Sequence, residues 1–422
     1  MISRAMDYDL CVIGAGWAGF NAAVKAAKLG KKVCFLEEKE LGGTCLNRGC
    51  IPTKALVAYS KQGLTLEEIQ RKKSDVVQRL KTGMASVFKA DQVDYIEGTA
   101  RIEADGFVSV AGVQKLKPKF ILIATGSQPR DLPLLKIDHQ KIISSDDVLE
   151  LKDVPRKILI IGGGFIGCEF ASIFKRLGVD VTIVELLPQL LPGFDAQVSK
   201  KLHQSFQKSG INVCLEKRAE EFKFDDFDKV LLAVGRKSVV EGLWDESIGI
   251  KLQNGDLAVD RELRTDVRNI FGAGDCIGGY MLAHVASYEG ELAVNNMFSA
   301  PLKRDYSAVP CSVFTSPEIG SIGISEEEAK KFGLAYKAST VHFLSVGMAH
   351  ILEDTQGFAK VIVDTKSGHI LGAGIIGLEA TELVNAFSIL IKNKIPVAAL
   401  RKTIFAHPSV SEIIAEVAKS FD

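Results

Sequence analysis

The chain contains the same local pattern twice: an apolar strand, a glycine-rich turn, a helix, and a second apolar strand that ends in glutamate. The glycines and the glutamate are Gly14, Gly16, Gly19 and Glu37 in the first copy, and Gly162, Gly164, Gly167 and Glu185 in the second. Such glycines let the backbone approach a pyrophosphate at the positive end of a helix, and the glutamate suits the hydroxyls of a ribose. The repeat therefore predicts two dinucleotide-binding units in one chain.

Each unit closes on a further apolar strand that ends in glycine. The closing residues are Ala124, Thr125 and Gly126 in the first unit and Gly235 in the second. Residues 99–117 of the first unit alternate in polarity around predicted turns at 105–106 and 111–112, whereas residues 221–229 leave no room for such a meander in the second. We predict an α/β fold with two Rossmann-like dinucleotide-binding domains, each of three layers, the second of them shortened.

The length and charge of the chain limit the number of domains and the kinds of binding partner that we expect. With 422 residues the chain is too long for one hydrophobic core, so we expect two or three domains. Lys and Arg total 52, as do Asp and Glu, so no global field favours nucleic acid or an anionic membrane. No run of about 18 apolar residues and no N-terminal leader pattern appears. We therefore expect a cytoplasmic protein without a membrane or nucleic-acid partner, and no metal site.

Two cysteines, Cys45 and Cys50, follow closely on the first unit. Helical residues five apart lie little more than one turn apart, close enough for a strained disulfide if that turn is distorted. The alternative is a pair of buried thiols without chemistry. In a reducing compartment, a close pair that does form a disulfide is more often catalytic than structural.

Two nucleotides beside a dithiol constrain the chemistry. A nicotinamide delivers a hydride, whereas a dithiol exchanges two electrons through its sulfurs, and a flavin can mediate between them. One nucleotide is therefore expected to be a flavin. Gly274 and Asp275, which follow a short strand, place a carboxylate where it suits a sugar-like hydroxyl, although an ordinary turn would explain them as well.

The chain resembles the pyridine nucleotide-disulfide oxidoreductases, and within that family most resembles the dihydrolipoamide dehydrogenases. The motifs that carry the resemblance are the two glycine units, GGTCLNRGCIPTK at 42–54, ATG at 124–126, GAGDC at 272–276 and HPSVSE at 407–412. The resemblance implies the cofactors FAD and NAD, a redox-active Cys45–Cys50 disulfide, and oxidation of dihydrolipoamide carried by a lipoyl-bearing protein.

The resemblance also implies a division of the chain. An FAD-binding domain over residues 1–145 would be completed by residues 255–302, with an NAD-binding domain at 146–254 between them. Residues 303–422 would form an α+β interface domain that makes the protein a homodimer. In the family the active site is shared, since the C-terminal histidine of one subunit reaches the disulfide of the other.

Individual roles follow from matching positions. Cys45 would exchange with substrate and Cys50 would be the thiolate that lies against the flavin, while His407 would be the general base and Glu412 would orient its imidazole. A base near neutral pH is needed because the thiolate, not the thiol, attacks a disulfide. Residues 409–412 also read as a capping box, S-x-x-E, so Glu412 could serve the helix alone.

Lys54 and Glu169 match a pair beside the reactive edge of the flavin; the alternative is a charge pair on a helix surface. The implied cofactor-binding set adds to the glycines and glutamates above the residues Gly43, Thr44, Lys54, Phe165, Ile166, Gly274, Asp275, Met281, Leu282, Ala283 and His284. The carboxylate of Glu185 favours NAD, because it would repel the additional phosphate of NADP.

Three positions depart from the family pattern. Arg48 stands between the cysteines in place of a small apolar residue, and Phe405 and Ser316 replace histidines that are common there. Our hypothesis for Arg48 is that it points toward the sulfurs and lowers a thiol pKa. The departures keep a glutathione-like or other disulfide reductase open as an alternative, whereas a mercuric reductase would need a C-terminal cysteine pair. A scaffold without catalysis would not need the cysteines.

Overall fold

The computed structural model describes residues 6–110 and 114–421. The first part of the chain forms the strands β1 (Met6–Ile13), β2 (Val33–Glu37), β3 (Asp94–Glu97), β4 (Ala100–Ile102), β5 (Val108–Val110), β6 (Gln114–Ile123) and β7 (Ser127–Pro129). Its helices are α1 (Trp17–Lys28), α2 (Gly43–Arg48), α3 (Cys50–Ser60) and α4 (Leu66–Ala90). The sheet has the order β3-β2-β1-β6-β5-β4, with β1 parallel to both neighbours.

The central strand β1 is apolar on both faces because both faces are covered. Leu10 and Val12 pack in a cluster that includes α1, whereas Cys11 and Ile13 pack in a cluster on the opposite face. Such a strand reads as a continuous apolar run instead of an alternating one. The predicted meander is present as the antiparallel strands β4 and β5, which pair with each other around the turn at 105–106. The second predicted turn, at 111–112, lies outside the described residues.

The second unit repeats this design in a smaller form. It contains β8 (Ile142–Ile143), β9 (Lys157–Ile161), β10 (Asp180–Glu185), β11 (Asn212–Leu215), β12 (Lys229–Leu232) and β13 (Arg236–Ser238), with helices α5 (Ser145–Val148), α6 (Phe165–Arg176) and α7 (Ala196–Ser209). The parallel sheet has the order β11-β10-β9-β12-β8. Because β8 pairs with β12, the second sheet already begins at Ile142, before the predicted boundary that follows residue 145. Between β11 and β12 the described chain forms two short 3-10 turns where the first unit has its meander.

The two units are joined by a ribbon of two strands. β7 begins directly after Gly126 and β13 directly after Gly235, and the two strands pair in antiparallel fashion. Gly126 and Gly235 therefore both end a strand and begin the connection between the two units. Each leads its chain out of a sheet and into the connection between the two units.

After the ribbon the chain returns to the first unit. It forms β14 (Leu252–Gln253), β15 (Asp256–Leu257), β16 (Ile270–Gly272) and α8 (Ala283–Phe298). β16 pairs in parallel with β6, so the segment 255–302 contributes a strand to the first sheet. Helix α8 packs closely on α1, since a Cβ at Gly290 would lie 2.1 Å from the carbonyl oxygen of Ala18.

The C-terminal region is an antiparallel sheet with helices. Its strands are β17 (Cys311–Val313), β18 (Ile319–Gly323), β19 (Tyr336–His342), β20 (Gly357–Asp364) and β21 (Ile370–Gly377), in the order β17-β18-β21-β20-β19. Its helices are α9 (Glu326–Lys331), α10 (Gly347–Ile351), α11 (Ala380–Lys392), α12 (Val397–Arg401) and α13 (Glu412–Lys419). A buried ion triad ties this region to the second unit, because Lys360 Nζ lies 2.7 Å from carboxylate oxygens of both Asp195 and Glu326.

Candidate active site

A cavity of about 680 Å³ lies where the two units and the segment after the ribbon meet. Most of the residues that the sequence singled out line it: Gly14, Gly16, Glu37, Gly43, Thr44, Cys45, Cys50, Lys54, Ala124, Thr125, Gly126, Gly164, Phe165, Ile166, Glu169, Gly235, Gly274, Asp275, Met281, Leu282 and Ala283. The fold thus brings together positions from five separate stretches of the chain. A cavity of this size is typical of a site that encloses a cofactor.

Five of the predicted cofactor-binding residues are not among the described residues that line this cavity, namely Gly19, Gly162, Gly167, Glu185 and His284. Gly19 and Gly167 act within the turns, where a Cβ would lie 2.0 Å from the carbonyl oxygen of Gly14 and 1.9 Å from that of Gly162, respectively. The ring of His284 turns away, with Nε2 2.9 Å from the carbonyl oxygen of Pro310. The side chain of His284 is therefore placed apart from the predicted cofactor contacts, unlike the three residues before it.

The two glycine loops are held by their glutamates in the same way. Glu37 accepts a hydrogen bond of 2.6 Å from the backbone N–H of Ala15, and Glu185 accepts one of 2.6 Å from Gly163. The other oxygen of each carboxylate accepts a bond of 2.8 Å from the N–H two positions further on. A carboxylate has about four acceptor sites, so both glutamates keep capacity for the hydroxyls of a ribose.

The loops fit the phosphates of a dinucleotide. Gly16 caps α1 and Gly164 caps α6 without a side-chain hydrogen bond, and a Cβ at either position would meet nothing within 4 Å. The backbone N–H groups at these two helix ends are therefore exposed to the cavity, and the positive end of a helix dipole favours an anion there. The structure thus offers an anion cradle in each unit.

The cysteines lie on either side of a break between two helices. Helix α2 ends at Arg48 and α3 begins at Cys50, and Gly49 between them has a conformation outside the helical region. A Cβ at Gly49 would lie only 2.9 Å from the carbonyl oxygen of Thr44, so the break needs a glycine. The break at Gly49 is the distortion of the helical turn that a disulfide between residues five apart would need. Cys45 and Cys50 are free cysteines in the structure, which corresponds to the reduced form of the predicted redox pair.

The pair shares its proton unequally. The S–H of Cys45 donates to Cys50, and this hydrogen bond, with the nearby charge of Lys54, lowers the pKa of Cys50 to about 7 against the opposing effect of burial. The same hydrogen bond, together with burial, raises the pKa of Cys45 far above its usual value. The arrangement therefore favours a thiol at Cys45 and a thiolate at Cys50, the nucleophilic form of the group.

Arg48 lines the cavity, and its charge acts on Asp146 and on Arg236. The strongest influences that lower the Cys50 pKa are the hydrogen bond from Cys45 and the charge of Lys54, and a contribution from Arg48 stays a prediction. The other departures are structural in this fold. Phe405 packs against the core of the C-terminal region, and the backbone N–H of Ser316 donates to Ser172.

Lys54 and Glu169 form a close pair in the wall of the cavity. Lys54 Nζ lies 2.9 Å from both oxygens of Glu169, whose side chain is 6% exposed. Glu169 also accepts the backbone N–H of Phe314, and the Lys54 ammonium lies 4.9 Å from the centre of the Phe314 ring. The alternative of a charge pair on a helix surface is therefore wrong, because the pair joins α3 and α6 to the C-terminal region.

His407 and Glu412 form a second close pair. His407 Nδ1 lies 2.9 Å from Glu412 Oε1, and the other oxygen accepts the backbone N–H of Ser409 at 3.0 Å. These two contacts lower the pKa of Glu412, with the histidine contributing most. The capping box read from the sequence is not completed, because the hydroxyl of Ser409 donates to Ala406 and the helix starts only at Glu412.

This second pair stands apart from the cavity of its own chain. The His407 side chain is 76% exposed, and His407 is not among the described residues that line the cavity. The His407 imidazole is thus oriented by the Glu412 carboxylate and is accessible from outside the chain.

Polar residues that sequence reasoning missed also face the cavity. Three of them are Ser127, Asp146 and Arg236. Two of them could have been found, because Ser127 and Arg236 each follow a closing glycine directly, where chains leave the carboxyl ends of parallel strands and binding sites are usual. Asp146 lies in the short helix α5, and only the fold brings this helix to the cavity.

Neither a membrane span nor a metal centre was found in what the structure describes. Within residues 6–110 and 114–421, no helix combines the length and apolar content needed to cross a bilayer. Over the same residues, no group of three or more His, Cys, Asp or Glu side chains is placed to hold a metal ion.

Comparison with known proteins adds independent findings. Residues 8–290 match the family of pyridine nucleotide-disulphide oxidoreductases, and residues 309–418 match the dimerisation domain of that family. Dihydrolipoyl dehydrogenases of Geobacillus stearothermophilus and Chlamydia pneumoniae are 36% and 35% identical to the chain, over 98% and 97% of it and 96% of each relative. The HOCl-induced flavoprotein disulfide reductase RclA from Escherichia coli superposes with a TM-score of 0.91 at 30% identity, over 98% of this chain and 99% of that one.

Proposed function

The chain belongs to the pyridine nucleotide-disulphide oxidoreductase family, and on this premise we propose that it oxidises protein-bound dihydrolipoamide with NAD+. It is a flavoprotein disulfide oxidoreductase with FAD and NAD as cofactors, as the sequence led us to expect. The observation that carries the proposal is the dithiol, in which a Cys50 thiolate and a Cys45 thiol share one cavity with both glycine loops. The substrate is inferred from the dihydrolipoyl dehydrogenase relatives.

The residues present suit both cofactors. We assign FAD to the first loop with Glu37, to Lys54 and to Asp275, and NAD to the second loop with Glu185. When bound, the flavin passes two electrons between the dithiol and the nicotinamide. The chain contributes a positive charge at Lys54, held in place by Glu169, where negative charge on a reduced ring needs compensation.

The sulfur chemistry follows from the dithiol. In the oxidised protein, one thiolate of dihydrolipoamide attacks the sulfur of Cys45, the bond between Cys45 and Cys50 breaks, and Cys50 leaves as a thiolate. The second substrate thiol, once deprotonated, attacks the substrate sulfur of this mixed disulfide, which closes the lipoamide ring and releases Cys45. The proton that ends on Cys45 and the charge that remains on Cys50 are those favoured in the structure.

The base for these steps is best supplied from a second subunit. His407 is oriented by Glu412 but lies outside the cavity of its own chain. Residues 309–418 match the dimerisation domain of the family. We therefore propose a homodimer in which His407 of the partner subunit takes protons from the substrate thiols and returns one to Cys45. We also infer a cytoplasmic location, because eight cysteines spread over a long chain are not typical of the disulfide framework of a secreted protein.

Steady-state kinetics test this assignment. The FAD-loaded protein is assayed with dihydrolipoamide and NAD+, and separately with glutathione disulfide and NADH or NADPH. We expect turnover with dihydrolipoamide that is lost in Cys45→Ser and kept in Cys214→Ser, a cysteine of strand β11 outside the cavity lining. Absence of dihydrolipoamide turnover from an FAD-replete dimer would falsify the substrate assignment and leave the family intact.

A second candidate is a reductase of small disulfides. It is favoured by the full-length likeness to the disulfide reductase RclA and by the arginine at position 48, inside the cavity. Turnover of a small disulfide with NADH, combined with none of dihydrolipoamide, would select it.

A further inference from the structure

Arg236 occupies the point where the ribbon, the cysteine helix and the flavin side of the cavity meet. It is the first residue of β13 and lines the cavity. Its guanidinium donates from Nε to the hydroxyl of Ser127 at 2.7 Å and from Nη2 to the Ser127 carbonyl at 2.8 Å. Nη2 also lies 3.5 Å from the hydroxyl of Thr44, the residue directly before Cys45.

Ser127 links Arg236 to Asp275 through its hydroxyl group. Its hydroxyl accepts from Arg236 and donates to Asp275 Oδ2 at 2.5 Å. The backbone of Asp275 is fixed from the same ribbon, because Ser238 donates to the Asp275 carbonyl at 2.9 Å. Asp275 is the carboxylate that we assign to the hydroxyls of the flavin side chain. The ribbon therefore holds this carboxylate by its side chain and by its backbone.

The charges around Arg236 explain why a cation is retained in a partly buried position. Burial lowers the pKa of Arg236, and the negative groups Asp275, Asp146 and Cys50 oppose that effect. The positive charge of Arg48 lowers the pKa of Arg236 further, in the same direction as burial. Cys50 in its turn faces Cys45, Lys54 and Glu169. Arg236 is thus a fixed positive charge that interacts with two aspartates and with Cys50.

We propose that Arg236 is a positioning residue that fixes the flavin-binding carboxylate of Asp275 through Ser127 and places a positive charge beside the dithiol. The inference deepens the proposed function and rests on it only for the placement of FAD, not for the identity of the disulfide substrate. It gives the second unit, through its ribbon strand β13, a part in binding the cofactor of the first. Arginine suits this task because its planar fork reaches the hydroxyl and the carbonyl of one residue together, which a lysine ammonium does not reproduce.

Two substitutions separate the fork from the charge. Arg236→Lys keeps the charge and loses the fork, whereas Arg236→Gln loses both. We expect both variants to raise the dissociation constant of FAD by about tenfold to a hundredfold, the range for lost hydrogen bonds from a charged donor. The midpoint of the pH dependence of Cys50 alkylation in the reduced protein should rise in Arg236→Gln and stay near the wild-type value in Arg236→Lys.

Ser127→Ala tests the connection itself. It should weaken FAD about as much as Arg236→Lys, and the double variant should weaken it no further, because both changes cut the same path. Lys237→Met is the matched control, since Lys237 is the next residue of the strand and is exposed on its other face. Thermal unfolding of each apoprotein checks folding, and Ser127→Ala keeps the test available if an Arg236 variant does not fold.

Three results would overturn the proposal. They are an unchanged FAD dissociation constant in Arg236→Lys, fully additive effects in the double variant, or equal shifts of the Cys50 midpoint in Arg236→Lys and Arg236→Gln. None of these readouts uses lipoamide, so a failure here is distinct from a failure of the substrate assignment.

Discussion

The proton shared by the two cysteines gives a prediction that can be measured without any substrate. The pKa of Cys50 is lowered from 9.0 to about 7, and the hydrogen bond from Cys45 is the largest cause. A hydrogen bond to a charged group contributes about 1.5–3 kcal/mol, which corresponds to roughly one to two pKa units. Cys45→Ala removes this donor and should raise the pKa of Cys50 to about 8–9, with Lys54 still in place. Cys45→Ser keeps a hydroxyl donor and should leave the pKa of Cys50 near 7.

The assay is alkylation of the reduced protein with iodoacetamide over a range of pH. Modification is quantified on the peptide that contains Cys50, so that the six cysteines outside the pair do not contribute. The expected sign is clear: at a pH between the two midpoints, the wild type and Cys45→Ser react as thiolates and Cys45→Ala reacts much more slowly. Equal midpoints in Cys45→Ala and Cys45→Ser would refute the reasoning, because the hydrogen bond would then have no part in stabilising the thiolate.

Three further predictions follow from the fold. Gly16→Ala should leave apoprotein stability unchanged but weaken FAD, because its Cβ meets only open space, whereas Gly19→Ala should lower thermal stability, because its Cβ would lie 2.0 Å from a backbone oxygen. Glu412→Gln should remove part of the about 10²- to 10⁴-fold contribution of a general base to kcat/KM for a dithiol, measured by steady-state kinetics, because the His407 imidazole loses the carboxylate that orients it. Lys360→Met leaves the buried carboxylate of Asp195 without its cation, while Glu326 keeps its ion pair with Lys330, and should lower the free energy of unfolding by about 3 kcal/mol in urea titrations. Lys360 and Lys330 together lower the pKa of Glu326 to about 2, so the part of this stabilisation that involves Glu326 is present above the ordinary pKa of 4.5 and is lost as the pH falls through 2, and the difference between the two proteins should shrink in acid.

Local patterns were enough to predict much of the fold and of the site. The glycine loops could be predicted because residues close in sequence leave no room for a side chain at some of their glycines. At Gly19, for example, a Cβ would clash with the carbonyl oxygen of Gly14. The family and its cofactors were predicted correctly for the same reason, since the motifs lie in short stretches. The distortion between Cys45 and Cys50 was also anticipated from spacing alone, and the structure places it at Gly49.

Contacts between distant parts of the chain could not be predicted in this way. Arg236 and Ser127 are separated by 109 positions, and Lys360 and Asp195 by 165. Nothing near either residue in sequence specifies its partner, because the pairing depends on how two sheets and a ribbon are arranged. The protonation of the dithiol belongs to the same class, since it depends on Lys54 and on burial as well as on the cysteines.

The two glycine loops, which we assign to different nucleotides, share one design. Glu37 and Glu185 hold their loops with hydrogen bonds of equal length, so the common part of the design is the bond from carboxylate to backbone. The choice of NAD in the second unit must then come from what surrounds the free side of the carboxylate. Leu186 and Leu187 follow Glu185 and are 63% and 45% exposed, where a phosphate on the ribose would require basic side chains. An acidic group followed by apolar ones accommodates ribose hydroxyls and leaves an added phosphate uncompensated, which favours NAD over NADP.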